Sequence, residues 1–141
     1  MAVQRHDPYR SFNFRVAIGG RSGSNDGFSA VGLPTLLTRP DAAPDAARAL
    51  GEEHSSHLVL RRGFTGAMDL HEWWMRERGP KPSRGRVVTV ELLDETKTSV
   101  AMAWRFTGCR PVALHYSSLD ALESAVVTET IVLTFDDVEL A

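Results

Sequence analysis

Apolar and polar positions alternate along most of this chain. Phe12, Phe14, Val16 and Ile18 alternate with Ser11, Asn13 and Arg15, which predicts a half-buried strand ended by Gly19-Gly20. Residues 1–8 are a polar lead-in, and Arg21–Gly27 carries the glycine and serine content of a turn. A short second strand is predicted over Phe28–Leu33, closed by Pro34, and a third over His57–Arg62. The second half repeats the rule. Val88, Val90 and Leu92 alternate with Thr89 and Glu91, and Asp94–Thr98 forms a hairpin turn. Val100, Met102, Trp104 and Phe106 then alternate with Ala101, Ala103 and Arg105, and Val112, Leu114 and Tyr116 follow after Pro111. Ser117–Ser124 reads as a polar connection. A last strand over about 126–135 sets Val127, Ile131, Leu133 and Phe135 on one face. Glu129 falls in that apolar register. Either the strand begins later, or Glu129 pairs with an arginine at a subunit contact.

One stretch breaks to a helical period. After the third strand come Arg61, Arg62 and Gly63, a brief loop, and a compact helix over about 70–77. Asp69 and Glu72 have the spacing of a capping box, Arg76 and Arg78 suit the negative C-terminal end, and Gly79-Pro80 stops it. Leu70, Trp73 and Trp74 form its apolar face. A helix this short is marginal alone in water, so these three are the expected packing anchors. The chain is therefore mainly β, an antiparallel sandwich or barrel of six to seven strands with one packed helix, in a single domain over 1–141.

Residues 35–56 depart from both periods. They hold Pro40, Pro44, five alanines and a polar end, EEHSS. Pro44 followed by DAARAL and Gly51 suits a short helix, with proline at its start and glycine past its end. Its apolar face is poor, so the segment is expected to form an arm or long loop.

Composition narrows the function without naming one. The chain has 141 residues, 43% hydrophobic and 24% charged, with a formal net charge of −2, an ordinary globular profile with no global pull towards nucleic acid or membrane. Fourteen arginines stand against two lysines, a bias that suits fixed interface contacts or simply reflects genome composition. Cys109 is the lone cysteine, which excludes an intrachain disulfide and fits folding in a reducing cytoplasm. The first twelve residues carry no signal-peptide core, and no apolar run approaches the roughly 18 residues of a membrane span.

The search for chemistry is negative. His54-x-x-His57 beside Glu52 and Glu53 has metal-like spacing but no second ligand cluster, and reads as a solvated arm end. His71 and His115 are expected to face outward. Gly19, Gly20, Gly23 and Gly27 lack the Gly-Lys-Ser/Thr of a phosphate loop. Arg61-Arg62 and Arg76/Arg78 have no interleaved aromatics, so they read as solvated or interface groups rather than a nucleic-acid patch. No catalytic residue, metal site or cofactor is expected. What remains is a β-domain with exposed edges and an arm, the profile of a self-assembling subunit.

Four stretches in order carry a resemblance. They are FNFRVAIGG with GFSAVGLP, LVLRRGFTGAMDLHEWW, VVTVELLDETKTSVAMAWRFTGCRPVALHYSSLD, and ETIVLTFDDVEL. Arg62-Gly63 with Leu70 and Trp74, then Leu92–Glu95, Trp104–Phe106 and Glu129–Leu133, together resemble the tail tube proteins of contractile phages and extracellular contractile injection systems. The resemblance covers nearly everything outside residues 35–56, and no single motif in it is specific. It implies an Hcp-like tube fold, hexameric rings stacking into a hollow tube with cargo in the lumen, and a surrounding sheath protein. It also implies baseplate and tube-terminating partners, assembly in the cytoplasm and a place in a phage tail or injection particle. In relatives the segment matching 35–56 continues as an extended hairpin that contributes to contacts between subunits and rings. Leu36, Leu37, Arg39, Arg48, Glu52 and Glu53 are therefore candidate contacts, and Glu129, the misfit of the last strand, is a further one. The alanine-rich replacement marks either a tube variant or a specialised ring at the tube's end. A tube-initiating or adaptor ring at the baseplate is the nearest alternative. A monomeric binding module or small metal-dependent enzyme using His54 and His57 is the alternative of another class.

Overall fold

A computed structural model describes residues 7–19, 26–81 and 83–141. Residues 1–6 of the expected lead-in, Gly20 of the expected end of the first strand, 21–25 of the expected turn and Pro82 of the 79–85 linker lie outside the described residues. Among those described, seven strands and two short helices occur. They are β1 (Phe14–Ile18), β2 (Ala30–Gly32), α1 (Ala43–Leu50), β3 (Leu58–Gly63), α2 (Asp69–Glu77), β4 (Arg86–Leu93), β5 (Val100–Tyr116), β6 (Thr128–Thr134) and β7 (Asp137–Leu140). Single 3-10 turns, Pro40–Ala42 and Gly51–Glu53, flank α1. The mainly β, antiparallel class stands, with a second helix added. The chain forms two compact units, and β5 contributes to both.

In the first unit (1–28, 83–110 and 135–141) the strand order is β1-β4-β5-β7. Val16 pairs with Val90 and Ile18 with Val88, and Val88 in turn faces Phe106. Val16, Val88 and Phe106 are fully buried. Phe12 is not part of this alternation. It precedes the strand in a turn and is exposed, whereas Asn13 is buried. The simple alternation of β4 and β5 also fails: Met102, Val112 and Tyr116, expected on the inward face, are exposed and Ala103 is buried, and the ladder is irregular at two places. The register slips between Leu92 and Leu93, which turns Leu93 into the core and leaves Leu92 half-buried. Between Val88↔Phe106 and Arg86↔Cys109, β5 carries one residue more than β4. This bulge contains Gly108 at φ 66° and turns both Phe106 and Cys109 inward. A Cβ on Gly108 would overlap the Asp136 side chain, and one on Gly85 would stand 2.6 Å from the Gly108 carbonyl carbon. Glycine is required at both places.

The hairpin between β4 and β5 is held by Asp94. Its carboxylate accepts from Thr96 Oγ1 at 2.9 Å, Thr98 N at 3.1 Å and Ser99 N at 3.3 Å. Slight desolvation pushes its pKa up, but these bonds outweigh it and hold the carboxyl below the usual aspartate value.

In the second unit (29–82 and 111–134) the order is β5-β6-β3-β2. Leu58 pairs with Leu133 and Leu60 with Ile131, and all four are fully buried. Each such side chain contributes about 1.5–3 kcal/mol relative to exposure. Leu70 and Trp73 of α2 are buried as well, while Trp74 is half-buried. Helix α2 begins one residue earlier than its sequence suggests. Met68 occupies the N-cap with no side-chain bond, so Asp69 and Glu72 form no capping box. Both still complement the positive N-terminal end. α1 has proline in its first turn, and its C-cap Gly51 takes φ 58° and donates to Ala47 O, as the sequence suggests. Apolar and polar positions segregate on α1 better than expected, yet it buries no residue, because its apolar side consists mostly of alanine.

Candidate functional site

The next pair in the Leu58↔Leu133, Leu60↔Ile131 series is Arg62↔Glu129. Both side chains point into the same buried face as the leucines, since strand residues two apart share a face. Arg62 Nε donates to Glu129 Oε1 at 2.7 Å, and Arg62 Nη2 donates to the carboxylate of Asp69 at the start of α2. One guanidinium thus ties β3, β6 and α2 together. Burial lowers the Arg62 pKa, but the bonds to Asp69 and Glu129 outweigh it and hold it above its ordinary value. Glu129 is 1% exposed. Partial burial raises the Tyr116 phenol; the Glu129 carboxylate adds to the rise and Arg62 opposes it.

This geometry corrects two expectations. Glu129 does not wait for an arginine of another subunit; its partner is Arg62 of its own chain. Arg62 is not a solvated or interface group. The sequence held the signal: Leu58, Leu60 and Arg62 keep one parity, as do Leu133, Ile131 and Glu129. On α2, Trp74 stands 5.6 Å from the His71 ring and 4.9 Å from the Arg78 guanidinium carbon, a stack on the outer side of the helix.

The remaining candidates lie on the surface. Leu36, Leu37, Arg39, Arg48, Glu52 and Glu53 are all exposed. Arg39 pairs with Asp41 at 2.7 Å and Arg48 with Asp45, both locally. The segment is held at its base, where Thr35 N donates to Ser55 O at 2.8 Å. His54 Nδ1 lies 3.1 Å from Thr35 Oγ1 and His57 Nδ1 3.2 Å from Ser56 Oγ, so each ring is engaged by a neighbouring hydroxyl. Among the described residues no group of His, Cys, Asp or Glu is arranged to hold a metal. Cys109 is buried, and burial pushes its thiol up to about 12, which keeps it protonated.

A second surface was hidden from sequence reasoning. The connection read as polar over Ser117–Ser124 extends to Val127, because β6 starts at Thr128 and not near 126, and it carries Leu119, Leu122 and Val126 at 82%, 96% and 72% exposure. Beside it, Phe64 and Tyr116 meet edge to face at 6.0 Å. Large apolar side chains this open are the mark of contact surfaces rather than of catalysis. Such surfaces on an antiparallel frame fit a structural protein.

The comparisons with known proteins bear on this class. The family described as T4-like virus tail tube protein gp19 matches residues 10–139, and the chain belongs to that family. It is a structural tail tube protein, not an enzyme. The fold is shared with the tube-bearing complex titled "PVC sheath-tube complex in extended state", an extracellular contractile injection system (TM-score 0.70, 21% identity, 95% of this chain and 91% of that one). It is shared with the tube-terminating cap of the anti-feeding prophage (0.71, 17%, 100% and 95%) and with Hcp1 from Flavobacterium johnsoniae (0.61, 14%, 92% and 95%). No curated protein sequence matches the chain. No described helix is long and apolar enough to cross a membrane.

Proposed function

We propose that this chain is the repeating subunit of the inner tube of a contractile injection system or phage tail. Copies close into hexameric rings, the rings stack, and the lumen passes cargo while a contractile sheath surrounds the tube. The match of the tail tube family over residues 10–139 is the observation that carries this reading. The likeness to a chain of a sheath–tube complex supports it. Leu36, Leu37, Arg39, Arg48, Glu52 and Glu53 are the contacts assigned to neighbouring copies. Leu70 and Trp73, the buried residues of α2, hold it as a rigid fixture of the subunit. The particle assembles in the cytoplasm and meets baseplate and terminator proteins at its ends.

A second reading has one observation in its favour. The likeness to a tube-terminating cap spans the whole chain, which supports a specialised ring at one end of the tube. Electron microscopy of the purified protein separates the two. Tubes support the repeating subunit, and rings that never stack support the end ring. A strictly monomeric protein at high concentration sinks both. Deleting residues 35–56 is expected to leave a folded protein, by circular dichroism, that fails to form rings or to stack them. Normal tubes from the deletion would remove the segment from assembly.

A further inference from the structure

The second unit carries two exposed apolar groups, and the β3–β6 register fixes where each stands. β3 runs from Leu58, opposite Leu133, to Gly63, opposite Thr128. The segment 33–39 belongs to the Leu58 end, because Thr35 is bonded to Ser55 just ahead of that strand. The 117–127 loop belongs to the Gly63 end. There Phe64 N donates to Val127 O at 2.8 Å and Ser117 N to Thr128 O at 3.0 Å. Val126 Cγ1 lies 3.6 Å from the place of a Gly63 Cβ. With six residues in β3, the two ends are roughly 17 Å apart at 3.4 Å per residue. Within one copy, neither group is placed to cover the other.

Their chemistry is complementary. Residues 33–39 (LPTLLTR) expose Leu33, Leu36 and Leu37 with one cation, Arg39, and no carboxylate. Residues 117–127 (SSLDALESAVV) expose Leu119, Leu122 and Val126 with two carboxylates, Asp120 and Glu123, and no cation. Asp41, the present partner of Arg39, is itself mostly exposed, and such a surface pair contributes little and exchanges readily.

We propose that residues 33–39 of one copy of this chain seat on the 117–127 loop of the next, leucine on leucine, with Arg39 set against Asp120 and Glu123. A second copy is the occupant because each copy supplies both halves, matched in apolar character and opposite in charge. The two faces differ and stand at opposite ends of one ladder, so the contact is head-to-tail and repeats, as a ring or a stack requires. This docking rests on the tube-subunit reading and names the surfaces that meet.

Cross-linking of full-length variants tests it. Leu36→Cys and Leu122→Cys chains, distinguished by size tags, are mixed, assembled and treated with a short bismaleimide. The buried Cys109 contributes little background. The expected product joins one Leu36→Cys copy to one Leu122→Cys copy, and a chain carrying both substitutions yields a ladder of multimers. Tubes that form without this product overturn the docking and leave the subunit reading standing. A protein that forms neither tubes nor the product overturns both. A charge exchange checks the same contact without cysteine. Arg39→Glu, at unchanged melting temperature, is expected to raise the concentration for half-assembly about tenfold, the scale of one like-charge contact. Adding Glu123→Arg in the same chain restores it. Assembly of Arg39→Glu at the unsubstituted concentration would equally overturn the proposal.

Discussion

Both units set an arginine directly opposite a glutamate across an antiparallel ladder, Arg15↔Glu91 and Arg105↔Glu139 in the first and Arg62↔Glu129 in the second, and the Arg15 and Arg62 pairs behave differently. In the first unit Arg15 Nε donates to Glu91 Oε1 at 2.6 Å; the Glu91 side chain is buried at 9%, but the Arg15 side chain keeps 27% of its surface in water. In the second, Arg62 and Glu129 retain 10% and 2%, and Arg62 also holds Asp69 at the start of α2. The chemistry is the same, but the environment decides what each pair does. A pair near water gains little and loses little. A buried pair adds little over an apolar replacement, yet it is costly to break, because one charge is then stranded. It also fixes register, since a one-residue slip would set Arg62 against a threonine, Thr128 or Thr130. The locked pair lies in the unit that bears both exposed apolar groups proposed to meet between copies, where a fixed frame would be worth most to assembly.

The largest test is to break the buried pair. Arg62→Ala is expected to cost about 3–5 kcal/mol, the range for stranding one member of a buried ion pair. Denaturant unfolding measures it as a lower midpoint. A loss no greater than that of Arg15→Ala would erase the distinction between the units. The first unit has its own fragile point, and there the backbone is at stake rather than a charge. Gly108→Ala forces a Cβ into the Asp136 side chain at φ 66°. The expected loss is about 1–3 kcal/mol, the usual scale of such strain. Unchanged stability would mean that the bulge relaxes freely.

How much of this was legible depended on whether the ladder was regular. The strands of the second unit followed period two from Leu58 to Leu133 in pairing, so their inward faces were readable from sequence. Glu129 looked like a misfit only because Arg62 was read as part of a basic dipeptide and not as the third member of the Leu58, Leu60 series. In β4 and β5 the alternation failed at Leu93 and Cys109, because bulges change phase and their position depends on partner strands that no local pattern encodes. The capping box was misplaced by one residue, a normal uncertainty at helix ends. The 117–127 loop was missed for another reason. Its serines and acids gave it polar composition, and only the folded chain reveals that Leu119 and Leu122 point outward.

The smallest effect belongs to the open pair, and it is the control that gives the others meaning. Arg15→Ala removes the partner of Glu91, which is itself buried, but truncating the partly exposed Arg15 side chain opens the carboxylate to water, so it is not stranded in a dry core. The expected loss is about 0–1 kcal/mol, as for other partly exposed pairs. It should shrink further as salt is raised, because such charges are screened. The Arg62→Ala loss should change little over the same range. Parallel unfolding curves of both variants at low and high salt measure this directly. Equal salt sensitivity would mean that solvent reaches Arg62 and Glu129 as readily as it reaches Arg15, and the buried pair would then lose its role in fixing the register of β3 on β6.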